Sequence, residues 1–271
     1  MSRVRLAFAV SAAFLAAAPV AARAQESLAA APATAPHFTG AQSTAFAFQI
    51  EQELTRRGAG LAVVFRTGRP RDKLPKGIAY THGAFWVRRA FTEPDGKITN
   101  GYLVYNLYAG DGVATPPDQS TLVQDFPTDF TPGSAMDDVA ILIPTPAMQA
   151  KIVAAIDGPV YEAMHIDSYS LIANPLSPLH QNCNSFMLNV IAAAGWGIDN
   201  PATIRARLKA RYTPTTVSVG AVERLLAPMS DPRVKTDDQG LTLRTATYAS
   251  IAAFMRAQGW LATTYTLRFQ P

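Results

Sequence analysis

The chain has one cysteine among 271 residues, four histidines, and charged residues at only 16%. One cysteine excludes an internal disulfide framework, and without paired Cys or an H-E-x-x-H run there is no zinc motif. Neither G-x-x-x-x-G-K-S/T nor G-x-G-x-x-G occurs, so no nucleotide, metal or other cofactor is expected. Asp125, Asp129, Asp137 and Asp138 lack the alternating spacing of a calcium loop and read as surface loop acids. No stripe of Lys/Arg with interleaved aromatics appears, which excludes nucleic acid as a partner. The densest basic patch, Arg205 to Arg211, reads as one face of a solvated helix.

What is present is apolar material, 48% of the residues, enough for a core and too much for a disordered chain. Its first block is an export signal. Arg3 and Arg5 precede an apolar run from Leu6 to Ala18, and Ala22-Arg23-Ala24 supplies a small-residue cleavage pattern. The run is shorter than the roughly 20 residues of a membrane span. Residues 1–24 are therefore expected to be a cleaved signal peptide, giving a periplasmic or secreted protein with no stable membrane anchor. Cleavage removes three of the 24 basic residues and none of the 20 acids, so the formal charge of +4 falls to +1.

Residues 25–39, with Pro32 and Pro36, read as a linker, and 40–271 as one domain, expected to be monomeric. The patterns predict a helix over Ser43–Arg57 capped by Ser43 and a strand over Leu61–Arg66. A hairpin of Ile78–Arg89 and Gly101–Tyr108 follows, turning at Pro94-Asp95-Gly96, and then a strand over Val139–Ile143. Thr145 and Pro146 open a helix, and Ser168–Ala173 reads as a further strand. Asn182 caps the next helix, with Gly195 as its stop. Helices near 202–211, 218–226 and 248–258 and a closing strand TYTLRF complete an α+β domain with a central antiparallel sheet. LVQDFPTDF reads as a loop whose Phe126 and Phe130 pack near the cleft.

Cys183 is the residue with the most chemistry to offer. It follows an N-cap, where unsatisfied backbone N–H groups and the helix dipole favour thiolate over thiol and offer donors to an oxyanion. The alternative is inert packing, because Cys183, Phe186, Met187, Val190 and Ala194 share a helical face. A thiol nucleophile needs a base. His37 and His165 read as solvated or surface residues, and His180, three residues before Cys183, as a residue that shapes the site. His82 lies in a strand, sharing one face with Ala84 and Trp86; small Ala84 is expected to leave room for a helix end. A hydrogen-bonded strand histidine is the alternative. On the next strand, Asn106 interrupts an apolar and aromatic run and is of the type that orients an imidazole; a solvent-facing Asn is the alternative.

THGAFWV, a polar residue in the following strand, and NCNSFMLNVI opening a helix together resemble the circularly permuted branch of the NlpC-type, papain-like thiol hydrolases. With the signal peptide and VYNLY they resemble more narrowly an uncharacterised family of exported bacterial proteins. The resemblance covers roughly Leu61 to Trp196. It implies a papain-like sheet packed against a Cys-bearing helix, with extra helices C-terminal to it. The implied roles are Cys183 as nucleophile, His82 as base and Asn106 as orienting residue. Tyr80 and His180 fall at substrate-binding positions, and Gln181 beside the Cys183 N–H at the oxyanion. The expected activity is an exported amidase or peptidase acting on a peptide, cell-wall or acyl substrate. The alternative is a non-catalytic envelope protein that binds peptide or cell-wall fragments.

Overall fold

A computed structural model describes residues 36–92, 95–218 and 231–271. The expected signal peptide, residues 25–35 of the expected linker, Pro94 of the hairpin turn and most of the helix expected near 218–226 lie outside these residues. Thr39 caps the first helix, α1 (Gly40–Arg56), through a reciprocal box with Gln42. Ser43 is therefore not its cap: it lies inside the helix, buried, and donates to Thr131 Oγ1 at 2.9 Å.

The strands are β1 (Leu61–Arg66), β2 (His82–Thr92), β3 (Ile98–Ala109), β4 (Ser120–Asp125), β5 (Asp138–Pro144), β6 (Thr215–Val217), β7 (Leu243–Thr245) and β8 (Leu261–Arg268). Six form one antiparallel sheet in the order β4-β3-β2-β1-β5-β8, and β6 pairs with β7 apart from it. The further helices are α2 (Pro127–Phe130), α3 (Pro146–Asp157), α4 (Val160–Ala163), α5 (Cys183–Trp196), α6 (Pro201–Arg211) and α7 (Tyr248–Ala257). The result is an α+β domain built on an antiparallel sheet.

Every residue of β1 and β5 is buried, as two-sided cover demands of central strands. One face carries Leu61, Val63, Phe65, Phe85 and Val87 against α3, α5 and α7. The other carries Ala62, Val64, Ala84, Trp86 and Val104 against α1 and Phe130. Two sequence expectations fail here. The expected loop Leu122–Phe130 instead supplies most of the edge strand β4 and all of α2, and of its two aromatics Phe130 is buried while Phe126 is exposed. Ser168–Ala173 is not a strand: the N–H groups of Tyr169, Ser170 and Leu171 go to Asp118, Gln181 and Arg233, three separate segments. β2 also begins four residues later than its β-branched pattern predicts, at His82.

Helix α5 is buried over Cys183–Ala193, which makes it a core helix rather than an amphipathic surface one. Asn182 caps it, accepting from Ser185 N. Its stop is Gly197, at φ 65°, and not Gly195. Gly195 has a different task, since a Cβ there would lie 2.3 Å from the Trp260 ring.

Candidate active site

The β2–β3 ladder runs from Thr92↔Ile98 to Phe85↔Tyr105 and stops there. His82–Ala84 and Asn106–Ala109 thus lie beyond it, so the two strands part at one end. The start of α5 packs against this end of β2. Gly83 permits the approach: a Cβ there would lie 2.3 Å from Met187 Cε and 2.8 Å from the Phe65 ring. Ala84, the expected source of room, lies on the opposite face among Trp86 and Tyr102.

The Cys183 sulfur meets backbone on both sides of His82. It lies 3.7 Å from the Thr81 carbonyl oxygen and receives the Gly83 N–H. The N–H groups of Asn184 and Cys183 itself also point at it, and the Arg66 charge acts on it. The three N–H groups and the Arg66 charge favour thiolate, yet burial outweighs them and pushes the thiol above its ordinary value, and the Thr81 carbonyl accepts from the S–H. The dipole expectation is therefore overridden by desolvation, and the resting sulfur is a neutral thiol.

His82 is fully buried. Its ring stacks on Tyr108, with centroids 5.0 Å apart and planes at 7°, and touches Phe130. Nε2 donates to Asn106 Oδ1 at 3.0 Å, and Asn106 Nδ2 donates to Asp125 Oδ2 at 3.1 Å. An ionised carboxylate only accepts, so Asp125 turns the Asn106 amide with its oxygen toward His82. That oxygen requires a proton on Nε2, which leaves the lone pair on Nδ1. Nδ1 is buried and has no hydrogen-bond partner among the described residues. Burial, joined by the charge of Arg66, lowers the imidazole to about 3, so the ring is neutral.

Cys183 opens on a pocket of about 180 Å³. Tyr80 lines this pocket, its hydroxyl donating to Asp138 Oδ2 at 3.1 Å, as do Asn182 and Asn184. Gln181 and His180 are turned elsewhere. Gln181 Oε1 accepts from Ile166 N and Nε2 donates to Met164 O, both at 2.9 Å, so its amide is consumed by backbone and is no oxyanion donor. His180 bonds Ser168 Oγ at 2.8 Å and Asp237 Oδ1 at 2.7 Å, which ties two segments together away from the thiol. His165 bonds Ser120 Oγ.

Residues 53–255 match a family described as an uncharacterized protein conserved in bacteria (DUF2145). The chain belongs to this family. The matched stretch holds Tyr80, His82, Asn106, Asp125 and Cys183. No curated protein and no solved structure matches the chain.

Sequence reasoning missed Asp125 and Arg66. Asp125 is the last residue of edge strand β4, half-buried, with its carboxyl raised by burial while Tyr108 and Asn106 donate to it. Asp138 is likewise no surface acid: it is buried and paired with Arg71 at 2.8 Å. Arg66 stands opposite His82 in the β1–β2 register, buried, with its guanidinium over Phe130 and donating to Gly133 O. An Arg ending an apolar strand was the available signal, since such a charge must be paired if buried. Among the described residues no group of three or more His, Cys, Asp or Glu is placed to hold a metal, and no helix is long and apolar enough to cross a membrane.

Proposed function

We propose that this chain is an exported cysteine hydrolase of the permuted papain-like type, acting on an amide or ester carbonyl. The observation that carries the reading is the pairing of two half-sites at one point of the sheet. A thiol at the first turn of α5 faces a pocket and abuts the backbone flanking His82, whose ring is held so that Nδ1 alone remains without a partner.

The chemistry follows from neutral partners. As a substrate carbonyl reaches the sulfur, the thiol proton passes to Nδ1 and the S–C bond forms. The N–H groups of the first turn of α5 receive the negative oxygen. Collapse breaks the C–N or C–O bond, and the imidazolium returns its proton to the leaving group. Water, deprotonated at Nδ1, then cleaves the thioester and regenerates the thiol. The sulfur and Nδ1 reach the end of β2 from its two sides and are not hydrogen-bonded at rest, so the reaction requires them to meet in the gap left where β2 and β3 part; such contacts tighten in the reacting complex. A leader ahead of the domain would deliver it to the envelope, where cell-wall peptides are one class of substrate.

The same neutrality favours a second reading, a binding protein whose thiol and imidazole are core residues. Acylation separates the two. The chain from residue 25 onward is treated with nitrophenyl acetate beside His82→Ala, His82→Gln and Cys183→Ala, with circular dichroism to verify folding. The hydrolase requires an acetyl adduct on Cys183 that forms at least about tenfold more slowly in folded His82 variants. Equal labelling of wild type and variants, or no adduct on Cys183, overturns it.

A further inference from the structure

The pocket beside Cys183 has walls whose polar groups are already spent. The Tyr80 hydroxyl donates to Asp138, the Asn182 amide N–H to Leu171 O and the Asn184 amide N–H to Ala246 O, and the Thr81 hydroxyl oxygen accepts from Gly68 N. Thr247 Oγ1 caps α7 and bonds Thr215. What remains to face a ligand is hydrocarbon: Leu74, Ile78, Leu171, Ile172, Val234 and Ala246. At about 180 Å³ the volume exceeds the roughly 150 Å³ at which an apolar cavity accepts a benzene ring.

Two cations line the same pocket. The Arg69 guanidinium has no hydrogen-bond partner among the described residues, its charge reaching only Asp231, a carboxylate already bound by Arg233, and Lys73 is an exposed residue whose one ion pair, to Asp72, is 3.6 Å long and solvated. Their neighbour Arg71 is different, being locked on Asp138. A pocket with a thiol, spent polar walls and two available cations selects for an apolar body with an anionic end.

We infer that the acyl group taken by Cys183 is apolar, of the bulk of one aromatic ring or branched aliphatic side chain, and bears an anionic group met by Arg69 and Lys73. This rests on the hydrolase reading and narrows it, because small polar acyl groups of cell-wall peptides would leave the pocket unfilled. Filling the walls removes apolar area from water, which sets the preference.

The test compares nitrophenyl esters of acetate, phenylpropanoate and carboxyphenylpropanoate on the chain from residue 25 onward. Phenylpropanoate is expected to exceed acetate by at least about tenfold in kcat/KM. Carboxyphenylpropanoate is expected to gain a few-fold more, a gain lost in Arg69→Ala/Lys73→Ala and in high salt. Ile172→Trp, which narrows the pocket, is expected to reduce the phenylpropanoate-to-acetate ratio. Equal rates for the three esters overturn the inference while leaving the hydrolase reading intact. If no ester acylates Cys183 the hydrolase reading falls, and the pocket is judged on calorimetric binding of free carboxyphenylpropanoate. No saturable binding, or binding indifferent to Arg69 and Lys73, overturns the inference on its own.

Discussion

Acidification should destabilise this fold, with His82 making the largest single contribution between pH 7 and pH 5. His82 is held to about 3 from an ordinary 6.5, mainly by burial and further by Arg66, and it is fully buried, so solvent does not screen the effect. The folded ring therefore stays neutral where the unfolded ring takes up a proton. The unfolded state binds the extra proton between these two values, so stability present above 6.5 is lost as pH falls toward 3. At about 1.4 kcal/mol per pH unit, the loss between pH 7 and pH 5 is about 2 kcal/mol, and it reaches about 4 kcal/mol at pH 3. For a domain of this size 2 kcal/mol corresponds to roughly 4–8 °C in Tm. Urea unfolding of wild type and His82→Gln at the two pH values isolates the contribution. Glutamine can still donate to Asn106 Oδ1 but does not titrate. His165, also lowered by burial, acts equally in both proteins and cancels. The wild type should lose about 2 kcal/mol more than the variant over the interval, at unchanged m. Equal losses would refute the claim that His82 is buried as a neutral ring.

Two further outcomes are expected. Asp125→Asn removes the acceptor-only partner that orients the Asn106 amide. The nitrogen spectrum of His82 should then shift from a single Nε2–H tautomer to a mixture, and acylation of Cys183 should slow about tenfold, the difference between a charged and a neutral hydrogen bond. Asp125→Glu should recover part of both, and an unchanged tautomer would show that Asp125 does not set it. Gly83→Ala forces a methyl into Met187 and Phe65. A loss of about 1–3 kcal/mol in denaturant unfolding is expected, with slower acylation as α5 is lifted from β2; wild-type stability would contradict the close approach.

The contributions of local pattern and of tertiary contact can be told apart residue by residue. Asn182 and Thr145 announce their helices because a cap acts within one turn, and Leu61–Arg66 announces a strand because its apolar run is short and β-branched. The hairpin was legible for the same reason. Caps that depend on reciprocal pairs were less so: Ser43 has the right chemistry, but Thr39 with Gln42 satisfies two donors together.

At the site, the sequence by itself determined the chemical types: one thiol at a helix start, one histidine in a strand, one polar residue in the next. Which face each side chain takes, and how water leaves them, was decided only by the tertiary structure. Cys183 reaches the strand from the Gly83 side, whereas His82 stacks on Tyr108 on the other, because the end of α5 packs where β2 and β3 separate. Gln181 and His180 are adjacent to Cys183 in sequence, but backbone groups and Asp237 claim them first. Asp125 and Arg66 join from strands far along the chain, and periodicity cannot report such partners. Desolvation is likewise a property of the whole fold, which is why a thiol that the helix dipole alone would acidify is instead kept neutral.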